Sequence, residues 1–342
     1  MVNVIIRCDA GKHHQVGTGH VTRCISLAKS LIKSRIVKQE DVCFLTRDFT
    51  GYEYGKKIIS KEKLKYKTIS KVSKLEILEF NNLYDPNAKN IAIFDTFKLN
   101  SNLIIKVKEI GYKILIFDEF AKHLNLAHLS IGSLYLGKKK TNLYSGYNYL
   151  ILSREIYKKS IYRKKIKNIV VTFGGVDKRK LTNFFLTAIP EIPLNINIYI
   201  ILGQSDKRLV KLYRSEIEKY NLTSKIKLFI YPKNFQTIIK KADIGVTSGG
   251  LSLFEFAAYG IPTISLPQYK HQLNTINNLK KFGITFLGSN EMKLNKLFFQ
   301  KVLNNLIYDS LKRNKINKIA PKFIDGKGLK RIKKLIYLKL MK

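Results

Sequence analysis

Val16-Gly17-Thr18-Gly19-His20-Val21-Thr22-Arg23-Cys24 lies between an apolar run, Val2-Asn3-Val4-Ile5-Ile6, and a segment with helical spacing. Val21, Cys24, Ile25, Ala28, Leu31 and Ile32 recur at the intervals that mark one buried helical face. The glycines therefore sit where a strand hands over to the first turn of a helix. Backbone N–H groups there have no partner inside the helix, and the helix dipole adds partial positive charge. Open α/β sheets bind ligands at the carboxyl ends of their strands. His20, at that corner, is the first candidate for a chemically active side chain. An imidazole has a reference pKa of about 6.5 and accepts a proton near neutrality.

Outward from this corner the first half alternates short apolar runs with helical patterns. Val42 to Leu45, Ile91 to Phe94 and Lys113 to Phe117 read as strands, and Leu103 to Ile110 reads as a helix between two of them. Such βαβ alternation predicts a mostly parallel sheet. Two of the strands end in carboxylates, Asp95 and Asp118-Glu119, on the edge where a crevice is expected. For Asp95 and Asp118, helix capping or loop hydrogen bonding competes with a site role. From Ser133 to Lys167 the pattern loosens, which places the interdomain linker there. A second alternating set begins at Ile169 to Phe173 and runs through Ile196 to Leu202, Lys227 to Ile230, Ile244 to Val246 and Thr263 to Leu266. The expected architecture is α/β, with two Rossmann-like domains, 1–157 and 158–342, facing across a cleft. The last segment, Lys330 to Leu340, reads as an amphipathic basic helix that could pack back on the first domain.

The chain has 342 residues and a formal net charge of +39. Such a charge invites a nucleic-acid partner, but 52 of the 63 basic residues are lysines and 11 are arginines. Phosphate recognition favours the planar arginine fork, and these lysines are dispersed along the chain. A specific nucleic-acid partner is not expected; the lysines read as a solvated surface, with a weak contact with a polyanion or membrane surface as the alternative. No apolar stretch approaches bilayer length and no signal peptide is recognisable, so a cytoplasmic protein is expected. Cys8, Cys24 and Cys43 lack metal or redox spacing, and the six histidines form no metal cluster by spacing. His13 and His14 read as residues of the loop leading to His20. Oligomeric state has no signal in the sequence.

Two further glycine corners stand in the second half. Thr247-Ser248-Gly249-Gly250-Leu251-Ser252 joins a strand to a helix that Gly260-Ile261-Pro262 stops. Glycines there let the backbone approach a phosphate, and free N–H groups supply donors without a Walker lysine. Neither a P-loop nor a dinucleotide fingerprint is present. Glu255, on the helix opened by these glycines, can accept from a ribose diol. A solvated helix glutamate is the plainer reading of Glu255 taken alone. Gly174-Gly175, after Phe173, is a weaker version of the same turn, and Gln272 can reach a sugar hydroxyl.

These residues resemble a known family. Arg7-Cys8-Asp9-Ala10 followed by Gly17-Thr18-Gly19-His20-Val21-x-Arg23-Cys24 is similar to the amino-terminal signature of the UDP-sugar hydrolases of pseudaminic acid synthesis (PseG) and of SpsG spore coat polysaccharide proteins. Asp95-Thr96-Phe97, Asp118-Glu119, Tyr149 to Glu155 and Phe173 to Asp177 extend the likeness. Ser248 to Pro262 looks like the nucleotide-binding turn of MurG-like GT-B glycosyltransferases. The resemblance implies a GT-B fold and hydrolysis of a UDP-linked diacetamido-trideoxy-hexose to UDP and free sugar. It implies that His20 positions or deprotonates the water, and that Arg7, Asp9, Gly17, Gly19, Asp95, Asp118 and Gln272 meet the substrate. Gly174, Gly175, Ser248, Gly249, Gly250, Leu251, Ser252 and Glu255 would hold the nucleotide. No cofactor or metal is called for. Phe97 replaces a frequent tyrosine and His271 a frequent asparagine, which bears on the sugar more than on the nucleotide. A GT-B glycosyltransferase using the same UDP-sugar donor is the alternative.

Overall fold

A computed structural model describes residues 1–11, 17–69, 73–119, 121–152, 160–175, 177–189, 195–203, 207–222, 225–289 and 291–342. His13, His14, Val16, Val176 and residues 153–159 of the linker lie outside them. The chain divides into two compact units, Met1–Glu155 with Gly326–Lys342, and Ile156–Asp325.

Unit 1 runs β1 (Val2–Cys8), α1 (Gly19–Lys33), β2 (Val42–Arg47), α2 (Tyr54–Lys61), β3 (Lys65–Ile69), α3 (Ser73–Asn82), β4 (Lys89–Asp95), α4 (Ser101–Ile110), β5 (Lys113–Phe117), β6 (Leu129–Gly132) and β7 (Leu143–Ser145). All strand pairs are parallel, in the order β3-β2-β1-β4-β5-β6-β7. The alternation of side chains along a strand gives the sheet two apolar faces. Val4 and Ile6 of β1 pack with Val21, Cys24 and Leu31 of α1. Ile5, between them, joins Ala92 and Phe94 of β4 against Leu103, Ile104 and Val107 of α4. Burial on both faces is why the central strands read as unbroken apolar runs.

Unit 2 repeats the plan: β8 (Asn168–Thr172), α5 (Leu181–Ala188), β9 (Asn197–Leu202), α6 (Lys207–Lys219), β10 (Ile226–Ile230), α7 (Phe235–Ile239), β11 (Ile244–Thr247), α8 (Leu251–Ala258), β12 (Thr263–Ser265), α9 (Gln272–Lys281), β13 (Thr285–Leu287), α10 (Lys296–Tyr308) and α11 (Ser310–Phe323). Its sheet is also parallel, ordered β10-β9-β8-β11-β12-β13. Gly260 closes α8 with φ +74, and a Cβ there would lie 2.7 Å from the Asn317 carbonyl oxygen, so both backbone and space require glycine.

The carboxy-terminal segment belongs to unit 1. Helix α12 (Gly328–Ile336) buries Ile332 and Ile336 in the core shared with α1, and Lys333 Nζ donates to Ser34 Oγ at 2.6 Å. A Cβ on Gly328 would stand 2.2 Å from the Leu150 carbonyl oxygen, so the helix start presses directly on that backbone. A wider turn, Tyr337–Met341, ends the chain, with Lys342 N–H donating to the Tyr337 carbonyl.

In each sheet the strand order reverses once, between β1 and β4 and between β8 and β11. Ligands of doubly wound sheets bind at the carboxyl ends beside such a reversal. Cys8 pairs in register with Asp95, and Thr172 with Thr247, so the two strands of each pair end level. The chain leaves β1 toward His20, β8 toward Gly174, and β11 toward Ser248. All three corners singled out in the sequence therefore stand at reversal points.

Candidate functional site

In unit 1 the geometry is built on Asp95, the last residue of β4, which is 1% exposed. His20 lies in the first turn of α1 and remains 24% exposed through its side chain. Its Nδ1 is 2.6 Å from Asp95 Oδ1. Arg23, one helical turn on, donates through Nε to Oδ2 at 2.8 Å and through Nη2 to Oδ1 at 2.6 Å. The Cys24 thiol approaches Oδ2 at 3.5 Å. Burial alone would push the Asp95 carboxyl upward, but the Arg23 guanidinium and His20 outweigh it and hold Asp95 well below the usual carboxylate range. An ionised carboxylate can only accept, so Nδ1 is the donor in this pair and Nε2 is the ring nitrogen left free of Asp95. This is the geometry of a general base held by a carboxylate.

The glycines before His20 are not explained by the fold. Among the described residues a Cβ on Gly17 or Gly19 meets nothing within 4 Å, and neither glycine has a left-handed φ. Thr18, at the helix start, makes no side-chain cap, and the first turn has no acidic residue. Among the described residues this turn therefore combines the lack of a side-chain cap with open space beside both glycines.

Other expected residues take structural positions. Arg7 is 2% exposed and pairs with Asp9 at 2.7 Å and with Glu76 of α3. Burial opposes its charge, yet the two carboxylates raise its pKa above the ordinary guanidinium value. Asp9 also accepts from the Arg47 N–H at 3.0 Å. This ion cluster fastens the end of β1 to β2 and α3. Asp118 accepts from the His123 N–H at 2.7 Å, the loop role that competed with a site role. Its neighbour Glu119 is the residue joined to the His20 cluster, through Arg23 Nη1 at 2.7 Å. Neither Arg23 nor Glu119 stood among the site residues expected from sequence. The spacing of His20 and Arg23, three apart on one helix face, was the available signal for Arg23.

In unit 2 the glycine corners converge on one loop. Gln268 Nε2 donates to the Phe173 carbonyl, and its Oε1 accepts from Lys178 N–H at 3.0 Å, which ties the Gly174-Gly175 turn to the β12–α9 loop. Gln272 Oε1 accepts from the Gln268 N–H at 2.8 Å. A Cβ on Gly249 would lie 2.7 Å from Gln272 Cβ and 2.8 Å from its carbonyl oxygen, so this glycine is needed for the close approach of α9. Gly174 has φ +85 with open space around it. Gly250 begins α8 without a side-chain cap, and Leu251 and Ser252 form the helix's first turn. Glu255 is 2% exposed and accepts from Gln236 Nε2 at 2.7 Å, so it is a buried carboxylate and not a solvated one. His271 stacks on Tyr269 with centroids 5.5 Å apart, and burial pushes its imidazole pKa down. Among the described residues no helix is long and apolar enough to cross a membrane.

Residues 168–329 match the glycosyltransferase family 28 C-terminal domain. The spore coat polysaccharide biosynthesis protein SpsG of Bacillus subtilis is 26% identical over 353 aligned positions, covering 97% of this chain and 96% of SpsG. The protein MJ1062 of Methanocaldococcus jannaschii is 28% identical over 299 positions; the match takes in 80% of this chain and 58% of that longer protein. Among solved structures, MurG of Acinetobacter baumannii superposes with a TM-score of 0.72 at 12% identity, over 98% of this chain and 99% of MurG. HepE of Anabaena in complex with UDP gives a TM-score of 0.58 at 10% identity, over 97% and 98% of the two chains. The fold class is therefore the α/β GT-B fold of MurG.

Proposed function

Because this chain is an SpsG homologue of the MurG-like superfamily, we propose that it hydrolyses a UDP-linked amino-deoxy sugar for surface polysaccharide synthesis. The substrate we infer is of the type UDP-2,4-diacetamido-2,4,6-trideoxy-hexose, the sugar class of pseudaminic acid synthesis. The supporting observation is the 2.6 Å contact of His20 Nδ1 with Asp95 Oδ1, which leaves Nε2 free of that carboxylate at the sheet reversal of unit 1. In the proposed step Nε2 takes a proton from water as the water oxygen bonds to the anomeric carbon. The bond from that carbon to the phosphate oxygen breaks, and UDP leaves with the electron pair. Backbone N–H groups at a helix start stabilise the departing charge. Unit 2 supplies the nucleotide corner at Gly174-Gly175 and Ser248 to Ser252, with Glu255 for the ribose and Gln272 beside Gly249 and Gly250. A second reading, transfer of the sugar to an acceptor, is favoured by the family 28 match of residues 168–329.

Incubation with a panel of UDP-sugars and no acceptor separates the two. Equal amounts of UDP and reducing sugar support hydrolysis; an absolute acceptor requirement supports transfer. Two substitutions test the binding assignments. Glu255→Gln keeps the shape of the side chain and removes its charge, and UDP affinity is expected to fall about 10- to 100-fold by calorimetry, the range for a hydrogen bond to a charged group. Gly19→Ala replaces glycine in a helical turn where the protein leaves room. Its unfolding free energy is expected to hold or rise by up to about 1 kcal/mol while affinity for the UDP-sugar drops. Undiminished affinity in Gly19→Ala would remove close ligand approach from this corner.

A further inference from the structure

The proton acceptor at His20 leaves Arg23 and Glu119 without a stated role, although both belong to the same hydrogen-bonded chain. Asp95 Oδ1 is shared by two donors, His20 Nδ1 and Arg23 Nη2, each at 2.6 Å. Arg23 Nη1 reaches Glu119 Oε1 at 2.7 Å, and the guanidinium carbon lies 4.4 Å from the Phe117 ring centroid. Glu119 is itself held by Ser133 Oγ at 2.8 Å and by the Leu134 N–H at 2.7 Å. The chain thus spans α1, the end of β4, the end of β5 and the loop after β6.

A carboxylate bonded to an imidazole alone favours the imidazolium, which has no acceptor atom left for a water proton. A guanidinium on the same carboxylate opposes that pull. Among the described residues, the titratable and charged groups joined to the ring and its carboxylate are Arg23 and Cys24 from α1, Cys8 from β1, Asp95 from β4 and Glu119 after β5. Only Arg23 among them is a cation. We propose that Arg23 is a positioning residue: gripping both oxygens of Asp95, and gripped in turn by Glu119, it limits the carboxylate's pull so that His20 stays a neutral acceptor with Nε2 open. This inference rests on the reading of His20 as the base. A lysine would be a poor substitute, because a point charge cannot take both carboxylate oxygens and Glu119 at once.

The test follows the His20 ring resonance by NMR against pH in the full chain without ligand. The parent protein is compared with Arg23→Gln, Arg23→Lys and Asp95→Asn, and His20→Ala assigns the signal among the six histidines. In Arg23→Gln the ring is expected to titrate about one pH unit higher than in the parent, as for loss of a nearby like charge. Arg23→Lys should move the same way by less, which carries the test if the glutamine variant does not fold. Asp95→Asn should move it down. Titration at or below the parent pH in both Arg23 variants would overturn the proposal. That result would leave any loss of UDP release in His20→Ala untouched, so failure here is distinct from failure of the base reading.

Discussion

His20→Ala is expected to lower turnover of the UDP-sugar by about 10²- to 10⁴-fold, the usual contribution of a positioned acid or base. UDP affinity should stay close to that of the parent protein. The imidazole is tied to Asp95 by Nδ1 and offers only Nε2, which in the proposed role acts on water and not on the nucleotide. A group that acts only in the transition state lowers kcat and kcat/KM together and leaves ground-state binding alone. The check is steady-state kinetics of UDP release beside calorimetric titration with UDP. An equal loss of UDP affinity and turnover would make His20 a ligand contact. Asp95 shares this role indirectly, since both its oxygens are engaged by protein donors. The sequence reading placed Asp95 against the sugar; its burial at the end of β4 makes an orienting role the better proposal.

Arg7→Ala is expected to destabilise unit 1 by about 3–5 kcal/mol, the cost of leaving buried charge without its partner. Arg7 is 2% exposed between Asp9 and Glu76, and its removal leaves two buried carboxylates facing each other. Arg47, 3.8 Å from Asp9 and 4.0 Å from Glu76, is too distant and too exposed to replace it fully. Urea unfolding measures the effect. The resemblance assigns Arg7 to substrate, and that assignment predicts the opposite pattern: unchanged stability with weakened binding. The two outcomes do not overlap, so one substitution decides between a ligand contact and a structural ion cluster.

The strand ends and glycine corners were legible because they are local. A continuous apolar run closed by Asp95, or by Phe173-Gly174-Gly175, announces its position in a parallel sheet without knowledge of its neighbours. Edge strand β3 was missed, since Lys65-Tyr66-Lys67 pairs with β2 alone and carries the lysines that guard an exposed edge. Strand β7 sits inside the stretch read as linker, and its three residues are too few to show a period. The Arg23–Glu119 bond joins residues 96 apart in sequence and depends on which strand ends lie side by side. Arg7 and Glu76 are a comparable case, 69 apart. Local pattern registers the elements; pairing of distant charges follows only from sheet order.

Hydrolysis in water enriched with heavy oxygen, followed by mass spectrometry of both products, tests most directly whether water attacks the anomeric carbon. The account predicts one labelled oxygen in the freed sugar and none in UDP beyond background. Label in the UDP phosphate would put the attack at phosphorus, and UDP release that waits on an added acceptor would make the protein a transferase; either result contradicts the account.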